Sequence, residues 1–393
     1  MKDMLYMHGG YIEGDIGEFL DFSANIAPFG MPAGVREAAE KAIAEAERYP
    51  DPFCKELIRA LSEKTGLCPD NIAVGNGACD LIYRTVQACF GAGGAVSGSG
   101  CITDRKALIA EPAFSEYERA LSLYGAVVLH YPLWDGANRL SFEGGGKEIL
   151  WGSNPDRQGL YELSEMIEND RIGNIGLIFI ANPSNPEGRL FERKELVGLA
   201  KVCGKKGIIL AVDECFMGFV SDNMHHSLLP LIAEEPESFE NVLVTDAFTK
   251  LYAMPGLRLG YLGGGSAALV KRIDSLRQPW LISTPALKAG LAALELTEEE
   301  YRLPLADHIN KQRRIMKEAL EDLGFEVADG QANYLFFTGA IKNLKERLLE
   351  KRILIRDCSD YFGLSKGCYR AAVLSEEKNR RLLEAVSEAV KGY

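Results

Sequence analysis

The stretch TDAFTKLYAMPGLRLGYL, residues 245–262, sets one lysine, Lys250, among aromatic and aliphatic neighbours and one arginine, Arg258, eight positions later. A buried ammonium is costly unless it is paired, neutralised or used covalently, so the segment points to chemistry at Lys250. Other polar residues recur in the same setting, just beyond apolar runs. GNGACD follows NIAV: a tight glycine turn opening a helix, whose free backbone N–H groups and positive dipole end make an anion site. NPSNPEG follows GLIFIA, and its Asn-Pro steps hold Asn182 and Asn185 where an amide can donate to a phenolate oxygen. Asp213 closes the run IILAV. It would serve there as a helix cap, as a salt-bridge partner, or as an anion that keeps a pyridine nitrogen protonated.

The elements that must position these groups follow from the pattern of apolar runs. NIAVG (71–75), GLIFIA (176–181), GIILAVDE (207–214), NVLVTDA (241–247) and GLRLGYL (256–262) read as strands that are apolar on both faces, as a covered parallel sheet requires. Between them ERKELVGLAKVCGKKG carries Leu196, Leu199, Ala200 and Val202 on one helical face. This alternation is the mark of an α/β sheet built from βαβ units, whose ligands collect at the carboxyl ends of the strands. Beyond about Trp280 a charged helical stretch (297–324) leads to shorter strand-like pieces and a last helix, a smaller α+β unit that shares its packing with the N-terminal segment to Tyr49. The expected division is a large domain at 50–275 and a smaller one from 1–49 and 276–393, since single cores stop growing at roughly 250 to 300 residues.

Composition narrows the function. The net charge is −12, and no Lys and Arg stripe is present to neutralise a phosphate backbone, which argues against nucleic acid and against a DNA-binding regulator. No run approaches the roughly 20 apolar residues of a membrane span, and the N-terminus lacks the apolar core of a signal peptide, so a cytoplasmic protein is expected. Nine cysteines without a CxxC pair and five histidines suggest neither a disulfide framework nor a metal site. The Gly- and Ser-rich cluster from Gly91 to Gly100 reads as a surface insertion.

An anion turn, an asparagine, an aspartate, a lysine and an arginine in that order describe one binding site for pyridoxal phosphate, with Lys250 as the Schiff-base lysine and Arg258 paired to the cofactor phosphate. Here the chain resembles the fold-type I family of pyridoxal-phosphate enzymes over nearly its whole length. NPSNPEG is similar to that family's NP.NPTG motif, DECFMGF to its aspartate motif and TKLYAMPGLRLGY to its lysine segment. The resemblance implies the aminotransferase fold type I, with a mostly parallel seven-stranded sheet flanked by helices. Two branches compete, the histidinol-phosphate aminotransferases and the threonine-phosphate decarboxylases of cobalamin synthesis. MHGGYI, LDFSANIAPFG, RYPDPFCKELIRAL, VGNGACDLIY, EPAFSEYERAL and ILIRDCSDYFGL resemble the second.

Carried over by position, the resemblance implies Asp213 at the pyridine nitrogen, Asn185 at the 3-oxygen, Phe114 on the ring face, and Ala78, Cys79, Thr249 and Arg258 around the cofactor phosphate. Tyr49 would reach the phosphate in a neighbouring subunit of a homodimer. Arg370 would grip a substrate carboxylate, and Arg356, His8 and Asn25 a substrate phosphate. Without the family pattern, Arg356 and Arg370 are equally readable as snorkelling surface residues, His8 as a tail residue, and Tyr49 and Phe114 as core aromatics. The sequence departs from the family at Glu187, where the motif has threonine and an acid is added beside the site, and at Phe216, where the aminotransferases have a tyrosine. The implied reaction is decarboxylation of threonine phosphate, with serine phosphate or transamination as alternatives.

Overall fold

The computed structural model describes residues 9–10, 16–91, 106–133, 148–150 and 159–391. Eight strands form the principal sheet: β1 Ile72–Gly75, β2 Lys106–Glu111, β3 Val127–Pro132, β4 Glu148–Ile149, β5 Ile175–Ala181, β6 Ile209–Asp213, β7 Val242–Ala247 and β8 Gly260–Gly264. Their order is β1-β8-β7-β6-β5-β2-β3-β4, and all neighbours are parallel except β8, which runs antiparallel to β1 and β7. The sheet is mostly parallel, as expected. It exceeds the expected seven strands by one, and β4 is a two-residue edge strand.

Period-two alternation explains why the strands are apolar throughout. Ile178 and Ile180 of β5, Leu210 and Val212 of β6, and Val242 and Val244 of β7 enter one core; Leu177, Phe179, Ile209, Ala211 and Leu243 enter another. Helices α1 Gly77–Phe90 and α2 Ser115–Leu123 cover the second face through Leu81, Val86, Tyr117 and Leu121. Helix α3 Arg193–Lys206 covers the first through Leu196, Leu199 and Ala200. At its start Glu195 accepts from the N–H of Glu192 (3.0 Å), and it ends on Gly207 with φ 67°, a conformation glycine adopts without strain. The four-residue helix α4 Phe248–Leu251 follows β7.

A smaller antiparallel sheet is built from β9 Glu326–Val327, β10 Tyr334–Thr338, β11 Arg356–Asp357 and β12 Cys368–Ala372, in the order β9-β10-β12-β11. Helices α5 Leu303–Asp322 and α6 Glu376–Lys391 pack on it through Leu305, Ile309, Met316, Leu320, Leu382 and Val386. The helical stretch expected over 297–324 divides into a π turn, Glu298–Arg302, and α5, because Pro304 in the first turn of α5 has no N–H to give to the preceding turn. Phe22 and Ala27 join this core, and Leu20–Asp21 pairs in parallel with Ile353–Leu354. No helix of the described residues is long and apolar enough to cross a membrane.

Strands β1, β5, β6 and β7 run the same way, so their carboxyl ends share one edge, and β8, being reversed, begins at that edge. The run expected as a strand from Gly256 becomes one only at Gly260; Arg258 lies in the preceding turn with left-handed backbone, φ 58°.

Candidate active site

At the carboxyl edge a cavity of about 450 Å³ opens between the two sheets. Asn25, Ala78, Cys79, Phe114, Asn185, Asp213, Thr249, Lys250, Arg258, Arg356 and Arg370 all line it. Tyr49 does not; it is 79% exposed and stacks on Trp280 at 4.5 Å. His8 lies outside the described residues, as does the 91–100 cluster beyond Gly91. Glu187, expected as an added acid beside the site, is not part of the cavity wall.

The topology explains the convergence. Ala78 and Cys79 belong to the first turn of α1, which follows β1, and the side chain of Asn76 at the helix start makes no capping bond, so backbone donors remain for an anion. Gly77 has φ 75°, and a Cβ there would stand 2.7 Å from Arg258 Nη2. A Cβ on Gly260 would meet the Ala78 nitrogen at 2.9 Å. Both glycines are thus required for the start of β8 to close over the helix N-terminus and lay the Arg258 guanidinium across it.

Asp213 has each carboxylate oxygen engaged by an uncharged donor: the Tyr117 hydroxyl donates to Oδ2 (2.6 Å) and the Cys215 N–H to Oδ1 (3.0 Å). Tyr117 is buried and lies flat on Phe179, ring centroids 4.8 Å apart. Burial, then the Asp213 charge, pushes its hydroxyl well above the ordinary range, so it remains a donor. Burial, then the Arg370 guanidinium, holds the Lys250 amine below its ordinary range and favours the neutral, nucleophilic form. The question raised by a lysine in an apolar segment is answered here: it lines a cavity where burial weakens its hold on a proton.

Arg356 and Arg370 are directly opposite one another on β11 and β12. Like charges so placed destabilise a sheet, and these side chains are not snorkelling into solvent. Arg370 is buried. Its Nη1 donates to Asn185 Oδ1 and its Nη2 to the Ser23 carbonyl (3.0 Å), while its buried Nε has no partner among the described residues. Arg356 is paired with Asp360 at 2.5 Å, beside the Tyr361 ring. Because Asn185 Oδ1 is taken by Arg370 and by the Tyr361 hydroxyl (3.3 Å), its NH2 end is left to donate.

Tyr361, Glu116 and Arg119 also line the cavity, although nothing in the sequence reading singled them out. Glu116 accepts from the Tyr83 hydroxyl (2.6 Å). Phe216 stands in the wall, packed edge-on against Tyr334, at the position where the resemblance would put a phenol.

The profile of the family described as "Aminotransferase class I and II" matches residues 17–386. The chain belongs to the class I and II aminotransferase family. Within this aminotransferase family it is 30% identical to the threonine-phosphate decarboxylase of Salmonella typhimurium, over 95% of this chain and 92% of that one. It is 28% identical to a histidinol-phosphate aminotransferase of Desulfitobacterium hafniense, over 97% and 94%. The crystal structure of the histidinol-phosphate aminotransferase from Clostridium acetobutylicum shares the class I and II fold with a TM-score of 0.78, at 25% identity over 95% of this chain and 100% of that one.

Proposed function

We propose that the protein is a pyridoxal-phosphate-dependent carboxy-lyase that converts L-threonine O-3-phosphate to (R)-1-aminopropan-2-yl phosphate in cobalamin biosynthesis. The observation that carries this reading is the pair of opposed arginines in the wall that also holds Lys250. One cation with no carboxylate partner among the described residues and a second one beside it suit a substrate with a carboxylate at one end and a phosphate at the other. The similarity to the Salmonella typhimurium decarboxylase supports it.

The cavity fits the cofactor. A phosphate suits the cradle of Ala78 and Cys79 N–H groups, the Thr249 hydroxyl and Arg258, a cradle that a Cβ at residue 77 would fill. Asp213 would hold the ring nitrogen, the Asn185 NH2 the 3-oxygen, and Phe114 the ring face. When bound, pyridoxal phosphate supplies an aldehyde that couples to an amine and a ring that withdraws electrons from the attached carbon. Lys250, whose buried amine is held below its ordinary range, is the residue that would hold the aldehyde. Arg370 holds the substrate carboxylate, and Arg356, Asn25 and His8 hold the phosphate. Two fixed ends leave the α-carbon little rotational freedom, and this sets which of its bonds faces the ring. Lys250 Nζ would take up a proton from the incoming substrate amine and return it to the α-carbon in place of the departing carboxylate. Tyr49, outside this chain's own cavity and exposed, suits a role at the cofactor phosphate of a second copy in a cytoplasmic homodimer.

The similarity to a histidinol-phosphate aminotransferase favours transamination as the second reading. One assay separates them: the loaded enzyme with threonine phosphate, scoring carbon dioxide against glutamate formed from 2-oxoglutarate. Carbon dioxide is the expected product. Glutamate without gas overturns the decarboxylase, and failure to bind pyridoxal phosphate overturns both.

A further inference from the structure

The two opposed arginines differ in one respect. Among the described residues Arg370 has only neutral oxygen acceptors, whereas Arg356 already has a carboxylate, Asp360, at 2.5 Å. Burial works against the Arg356 charge, yet Asp360 outweighs it and the guanidinium is held above its ordinary range. Asp360 stands on a turn braced by the Asp357 side chain, which accepts from the Ser359 N–H (2.8 Å), and by the Tyr361 N–H donating to the Cys358 carbonyl (3.0 Å). This turn forms the wall between the central cavity and a neighbouring one of about 280 Å³. Arg356 borders both cavities, whereas Asp360 borders only the neighbour. The ion pair therefore draws the guanidinium away from the central cavity.

The geometry points to Asp360 as the residue that sets the anion affinity of this site, an internal carboxylate that occupies Arg356 until a stronger anion takes its place. The inference rests on the assignment of Arg356 to the substrate phosphate. A phosphate carries close to two negative charges near neutral pH and three strong acceptor oxygens, so it competes with one carboxylate for a guanidinium. A hydroxyl cannot compete, and a single carboxylate meets only an equal. The contact inside the protein thus lowers the affinity of the site for phosphate.

The test is isothermal titration of inorganic phosphate into the cofactor-loaded enzyme, with kcat/KM measured for threonine phosphate and L-glutamate, on the wild type, Asp360→Asn, Asp360→Ala and Arg356→Gln. Removing the competing charge is expected to tighten inorganic phosphate about tenfold, to raise kcat/KM for threonine phosphate by a similar factor and to raise that for L-glutamate by no more, the scale of close charge pairs at binding sites. Arg356→Gln should lose phosphate binding. Unchanged or weaker phosphate binding in both Asp360 variants, with Arg356→Gln still impaired and circular dichroism showing intact folds, overturns the inference alone. Phosphate binding that survives Arg356→Gln overturns the assignment of Arg356, and the inference with it.

Discussion

Gly77→Ala probes the anion cradle with the smallest possible change. An alanine there must keep φ at 75°, where an L side chain costs roughly 1–2 kcal/mol. Its Cβ would also stand 2.7 Å from Arg258 Nη2 and 3.2 Å from Cζ, closer than packed atoms allow. The obstructing group is the far end of a flexible side chain, so the fold survives and Arg258 swings aside. Two losses should then separate. Urea unfolding of the cofactor-free protein should show a deficit of about 1–2 kcal/mol from backbone strain. Titration with pyridoxal phosphate should show a further loss of about 1.5–3 kcal/mol for displaced charge-assisted hydrogen bonds, a ~10- to 150-fold weaker Kd. Pyridoxal without its phosphate serves as the control and should bind the variant and the wild type alike. A variant that is less stable yet takes up pyridoxal phosphate as tightly as the wild type would show that Arg258 does not serve the phosphate.

Tyr117→Phe removes the hydroxyl that donates to Asp213 Oδ2 and leaves a carboxylate oxygen unsatisfied, so unfolding in urea should show a loss of about 1–3 kcal/mol. The pH titration of the bound cofactor's visible band should also shift, and an unmoved titration refutes a link from Tyr117 to the ring nitrogen. Glu214 accepts from the Ser227 hydroxyl (2.5 Å) and the Leu228 N–H (3.0 Å), and burial raises its carboxyl to about 8. Its ordinary value is 4.5, so between these two values the folded chain holds a proton that the unfolded chain has released, and stability from this group falls as pH rises. Glu214→Gln should therefore gain stability relative to the wild type as pH climbs through that window, and a difference that stays flat across it contradicts the sign.

The residues that the pattern itself made legible lie at or just beyond the end of a largely apolar strand, where a polar side chain has no packing reason to be, whereas Arg356 and Arg370, inside strands, came from the resemblance. Lys250, Asp213 and Asn185 are of this kind, and parallel topology then brings them together. Tyr361 was not legible because its hydroxyl meets Asn185, 176 positions away, through the seating of the small sheet against the large one. Glu116 and Arg119 were hidden by helical spacing on α2, where polar residues read as a solvated face. The start of β8 was misplaced because the left-handed backbone of Arg258 leaves no compositional trace. The edge strand β4, two residues long, is too short to show any period.

Arg370 takes its bearings from Ser23, Asn185 and Tyr361, three stretches of chain far apart in sequence. Its aim is thus a sum of their positions, and a slight resettling of any one would turn the guanidinium and any carboxylate bound to it. Relatives with the same lysine and aspartate could diverge in what they make by re-mooring a single guanidinium, leaving the groups that do the bond-breaking untouched.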